Sequence, residues 1–149
     1  MNYIKKIFGF KTKNTVKRTY AEAVELSVKW WSKKAFQTPM NQNNGDDSEN
    51  GAMSFLLMNM VSMNAKKTIS TENIKKFEAK LTEILLEAEG KGKHINNLDV
   101  DYHPNKNLSD ACQFAGVDPS CLPCKTYTFI NDKNEVEGHY QYGGEWFIL

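Results

Sequence analysis

Cysteine is scarce: only three occur in 149 residues. An odd number argues against the disulfide framework of small secreted domains, and reduced thiols are expected. Long apolar runs are missing too. No stretch approaches the roughly 18 to 20 uninterrupted apolar residues of a membrane-spanning helix. An excess of one charge is also absent, since 19 basic residues face 18 acidic ones, and this excludes a bulk polyelectrolyte that coats nucleic acid. There is no apolar segment of about 7 to 15 residues followed by a small-residue cleavage site, so no secretory signal is read and the cytoplasm is the expected compartment. The motifs GxSxG, GxxxxGK[ST] and HExxH do not occur, and nothing in the sequence calls for a cofactor. What is present is 40% hydrophobic, 11% aromatic and 25% charged residues, enough apolar material for one core and one domain.

The small net charge of +1 hides an asymmetry. Lys5, Lys6, Lys11, Lys13, Lys17 and Arg18 stand in residues 1–18 without an acidic partner, giving that segment +6 and leaving −5 for the rest. The expected organisation is a basic N-terminal arm, 1–18, on a single α+β domain, 19–149. With Ile4, Ile7, Phe8 and Phe10 among its lysines, the arm suits an anionic membrane surface or a phosphate backbone. A solvated tail, or one folded back on the acidic body, fits the same residues.

Thr19-Tyr20-Ala21-Glu22 reads as a capping box. Val24, Val28, Trp31 and Ala35 then share one helical face, widened by Leu26 and Trp30, up to about Phe36. Residues 37–50 are rich in Asn, Asp, Gln and Ser and read as a loop. Met53 to Met63 is apolar at nearly every angle, the pattern of a central core helix. Ser70 caps another helix whose stripe is Ile74, Phe77, Leu81, Ile84 and Leu85, ended by Gly90 and Gly92. A short extended piece with Leu98 and Val100 precedes Pro104, placed in the first turn of a short helix that carries Leu108, Ala111, Cys112 and Ala115. The period then changes to two. Thr126–Ile130 and Val136, Gly138, Tyr140 and Tyr142 read as strands joined at Asn131–Asn134, and Gly143-Gly144 turns the chain into a last segment to Leu149. The expectation is α+β: about four helices followed by a C-terminal antiparallel meander of two to three strands.

Cys121-Leu122-Pro123-Cys124, with His103 and Cys112, supplies the residue types of a Cys3His zinc site, although Cys112 lies on an apolar helix face where thiols act as small hydrophobes. Asp46, Asp47 and Glu49 offer carboxylates to a cation or a basic partner, or cap the helix that follows. In Asp101-Tyr102-His103 a carboxylate near an imidazole suits acid–base work, or a turn. Tyr127, Tyr140, Tyr142 and Trp146 offer stacking surfaces, with positive charge at Lys125 and His139, if they do not simply pack against helices. Trp30 and Trp31 point about 100° apart on their helix, so one is expected inside and the other exposed at an interface.

Trp30-Trp31, Asn44-Gly45-Asp46-Asp47-Ser48 before a Met-rich helix, Asp101-Tyr102 with Pro104, Ala115-Gly116-Val117, Lys125-Thr126, and Tyr142-Gly143 stand along the chain as short motifs. Together they resemble a group of small uncharacterised proteins carried by phages and integrated mobile elements. The likeness covers about residues 20–145 and departs at Cys121 and Cys124, where the group carries an aromatic-rich proline segment. It implies an accessory protein that binds and blocks a host defence component or its nucleotide signal. The expected function is therefore non-catalytic sequestration of a host defence protein or a small nucleotide through Asp46, Asp47, Asp101, Tyr102, Lys125 and Tyr142, with Trp30 or Trp31 at a protein interface. Alternatives are a small hydrolase, with or without zinc, and an adaptor tethered to nucleic acid or an anionic membrane by residues 1–18. Pairing of two copies to complete a pocket is compatible with each.

Overall fold

The computed structural model describes residues 17–36, 56, 57, 60, 69–92 and 95–149. Helix α1 spans Tyr20–Phe36. Its entry is the expected reciprocal cap: the Thr19 amide donates to Glu22 Oε2 at 2.8 Å and the Glu22 amide to Thr19 Oγ1 at 3.2 Å. Ala23, Val24, Val28, Trp31 and Ala35 form its buried stripe. Helix α2, Thr71–Glu87, starts at Ser70, whose hydroxyl accepts from the Asn73 amide, and buries Phe77, Leu81 and Leu85. It is closed off before Gly90 and Gly92, both at positive φ.

Strand β1, Leu98–Val100, leads into helix α3, Lys106–Ala115. Asn105 rather than Pro104 begins that helix, its side chain accepting from the Leu108 amide. Pro104 instead bridges back to Val100. Gly116 ends α3 at φ 65°, the left-handed conformation in which a glycine carries no Cβ penalty. After a 3-10 turn at Pro119–Cys121 come strands β2 (Thr126–Ile130), β3 (Val136–His139) and β4 (Trp146–Ile148).

The fold is α+β, and the sheet is four-stranded and antiparallel throughout, in the order β1-β2-β3-β4. It is one strand larger than a meander of two or three, because the short piece before Pro104 pairs with β2, Leu98 opposite Thr128. The sequence marks this piece as extended, but three residues carry too little alternation to place it in the sheet. Three helices appear among the described residues. Of the segment 53–63, Leu56, Leu57 and Met60 are helical but 45–55% exposed, so these positions are not core. The rest of 53–63 lies outside the described residues; among the described ones, α2 packs against α1 and α3, while α1 lies on β2 and β3 and α3 on β1. Trp31, Phe77, Leu81, Leu85, Leu98, Leu108 and Val136 are completely buried there, each aliphatic chain contributing about 1.5–3 kcal/mol on removal from water. Among the described residues no helix is long and apolar enough to cross a membrane.

Candidate functional site

The helices cover one face of the sheet. Burial alternates along each strand, Thr126, Thr128 and Ile130 being buried in β2 while Tyr127 and Phe129 are only partly covered. The register extends this parity across the sheet: Asp99 lies opposite Tyr127, Tyr127 opposite His139, and His139 opposite Trp146. These four residues form a row on the outer face. A second row joins Phe129, Glu137 and Ile148. Tyr127, Phe129 and Trp146 associate with ring centroids 5.7–6.4 Å apart, a spacing at which aromatic pairs attract. Trp146 is nevertheless 53% exposed and Ile148 56%.

At one end of this face four of the six expected ligand-binding residues come together. Lys125 occupies a turn at φ 52°, and its amide donates to the Asp101 carbonyl at 3.2 Å. Its ammonium is ion-paired with the Asp101 carboxylate. It also sits 3.9 Å from the ring centroid of Tyr102 and 5.4 Å from that of Tyr142, within cation–π range. The hydrogen bond that the Lys125 ammonium donates to the Asp101 carboxylate holds it well above the ordinary lysine range. A hydrogen bond with Tyr102, followed by partial burial, raises the Tyr142 phenol. Asp101 is thus engaged with Lys125, and this weakens an acid–base pairing with His103.

Tyr142 reaches this cluster because the strand parity breaks one residue earlier. Gln141 stands at φ 58° with its side chain completely buried, so Tyr142 emerges on the opposite side from the one that plain alternation gives it. Tyr140 keeps to the helix side, where it meets Trp30 edge-on at 5.8 Å and lies under the Lys34 ammonium at 4.4 Å. Burial pushes its hydroxyl up as well.

Two depressions flank the cluster. An open trough of about 570 Å³ is lined by Asp99, Asp101, Lys125, Tyr127, His139 and Tyr142. A more apolar cavity of about 430 Å³ lies against Tyr102, between Leu57, Pro104, Pro119, Leu122 and Cys124. Both volumes suit a small ligand.

The remaining candidates are placed differently. Trp31 is fully buried, its indole Nε1 donating to Thr128 Oγ1 at 2.8 Å. Trp30 is partly buried against Phe147, with centroids 5.0 Å apart. Neither stands out from the surface as an isolated ring; α1 lies flat on the sheet and both indoles fill the seam. Asp46, Asp47 and the arm up to residue 16 lie outside the described residues. Cys112, Cys121 and Cys124 are buried, and His103 is exposed. Among the described residues no three His, Cys, Asp or Glu side chains converge to hold a metal ion. Of the outer-face row, Tyr127, His139 and Trp146 are among the stacking and basic candidates of the sequence, whereas Asp99 is missed, because it counts as a face residue only once β1 is recognised as a strand.

No family model matches the chain, and a search of curated proteins finds no match.

Proposed function

We propose that the chain is a non-catalytic binding protein that sequesters its partner on the outer face of the sheet. On this reading it works in the cytoplasm as an accessory of a phage or mobile element, and it blocks a protein component of host defence. The observation that carries it is the row Asp99, Tyr127, His139 and Trp146, on the sheet face that no helix among the described residues covers. Trp146, 53% exposed, forgoes the free energy that burial would give it, and Trp and Tyr are the residues that dominate interfaces once a partner covers them.

A small nucleotide is the second reading, favoured by Lys125 between two tyrosine rings in a trough that also contains His139. It ranks second because Asp99 and Asp101 line the same trough. Asp101 already neutralises Lys125, and a phosphate would meet two carboxylates there.

Native mass spectrometry of the purified chain after incubation with host-cell extract tests both readings. A protein adduct that persists in Lys125→Ala and vanishes in Trp146→Ala is the expected result. A nucleotide-sized adduct lost in Lys125→Ala would replace it with the messenger reading. A bare chain under every condition would count against sequestration altogether.

A further inference from the structure

The strands present seven side chains on the outer face: Asp99 from β1, Tyr127 and Phe129 from β2, Glu137 and His139 from β3, and Trp146 and Ile148 from β4. Two are carboxylates and none is lysine or arginine. The carboxylates bracket the rings, since Asp99 lies opposite Tyr127 and Glu137 lies between Phe129 and Ile148. Glu137 is held in place by the Asn131 side-chain amide, which donates to its Oε1 at 2.8 Å. Lys125, beside β2, is committed to Asp101.

The two edges of the sheet also differ. The free side of β1 is sealed by its own loop: the Asn105 amide donates to the Asp99 carbonyl at 2.8 Å, and the Asn105 side chain to the Asn97 carbonyl at 2.7 Å. Strand β4 forms the opposite edge. The Leu149 amide donates to the Val136 carbonyl at 2.9 Å, so by antiparallel alternation the backbone of Ile148 is directed away from β3.

From this arrangement we infer that the partner meets the outer face with an extended basic segment, lysine or arginine alternating with apolar residues. The inference rests on reading the outer face as the binding surface. A cation over Trp146 or Tyr127 gains the attraction of the ring faces together with that of a neighbouring carboxylate. A neutral apolar partner would bury Asp99 and Glu137 unpaired, and an anionic one would be repelled, both at a cost in free energy. An extended segment beside β4 pairs its backbone with an edge and projects alternate side chains over the same face.

Isothermal titration calorimetry on the full chain tests this, with a short synthetic peptide alternating arginine with valine and a counterpart carrying glutamate for arginine. The expected result is saturable binding of the arginine peptide only. It should weaken about tenfold in the double variant Asp99→Asn, Glu137→Gln, equivalent to the loss of one good charged contact, and should weaken further as salt shortens the screening length. Circular dichroism checks that the variant is folded. Failure of the arginine peptide to bind, equal binding of the glutamate peptide, or an unchanged affinity in the double variant would each overturn the basic-segment inference. If, in the latter two cases, the binding observed disappears in Trp146→Ala, the outer face survives as the site and only the charge of its partner is wrong. Binding indifferent to Trp146→Ala and to the carboxylate variant would remove both readings. Reversible self-association of the chain that competes with the peptide would also overturn the inference, naming a second copy as the occupant.

Discussion

The indole Nε1 of Trp31 donates to Thr128 Oγ1 at 2.8 Å, a hydrogen bond from α1 to β2 made wholly inside the core. Both side chains are shielded from water, so neither has a solvent partner to fall back on. Thr128→Val keeps the shape and β-branching but leaves the indole N–H alone. It should destabilise the fold by about 1–3 kcal/mol, the cost of an orphaned buried donor. Thr128→Ser, which keeps the oxygen, should lose less. Urea unfolding followed by circular dichroism measures both, and equal stability of the valine variant and the parent would show that the bond contributes nothing.

A similar constraint operates at Gly138, on the inner side of β3. A Cβ there would stand 2.4 Å from the Tyr127 carbonyl oxygen and 2.9 Å from Phe147 Cζ. The carbonyl belongs to the neighbouring strand and cannot swing aside as a flexible side chain does. Gly138→Ala should therefore cost about 1–3 kcal/mol by overpacking, although alanine is ordinarily no worse than glycine in a strand. Thermal unfolding of this variant beside the parent reads the difference.

Local signals carried much of this architecture in the sequence. The capping box at Thr19, the stripe from Val24 to Ala35, Ser70 as a cap and Gly116 as a stop are all written within a few residues of where they act. What could not be read depends on distant partners. Strand β1 is three residues long and exists because β2 is there to pair with it. Tyr140 and Tyr142 look equivalent by alternation, and only the left-handed turn at Gln141 sends them to opposite sides. At the candidate site, Asp101, Tyr102, Lys125 and Tyr142 do come together, but the ion pair that occupies Lys125 links residues 24 positions apart. No local pattern announces such a contact.

Cys124 gives the fold a pH dependence. Burial, opposed in part by the adjacent Lys125 charge, raises its thiol above the ordinary range. The unfolded chain releases this proton near pH ~8.5, whereas the folded chain retains it to higher pH. Above that point deprotonation favours the unfolded state, so the stability held below pH ~8.5 declines as pH rises towards the folded value. Cys124→Ala should show a flatter decline than the parent between about pH 8 and 10. Denaturant midpoints measured across that range decide it, and parallel curves for the two proteins would contradict the assignment.

Gln141 is the least comfortable residue in the core. Its side chain is completely buried, and among the described residues neither its amide nitrogen nor its amide oxygen has a hydrogen-bond partner. Its backbone amide, by contrast, donates to Thr126 Oγ1 at 3.2 Å. A buried polar group without a partner costs about 1–3 kcal/mol, and replacing it with an apolar group of the same shape removes that cost. Methionine matches glutamine closely in length and volume and has no demand for a partner. Gln141→Met should accordingly stabilise the fold by about 1 kcal/mol or more, and Gln141→Ala should destabilise it by leaving a cavity. The pair separates the polar penalty from the packing, because both remove the amide and only one keeps the volume. If Gln141→Met lowers the unfolding midpoint instead, the amide has a partner in solution, such as a bound water or a ligand, and its position between Tyr140 and Tyr142 would then make it part of the site.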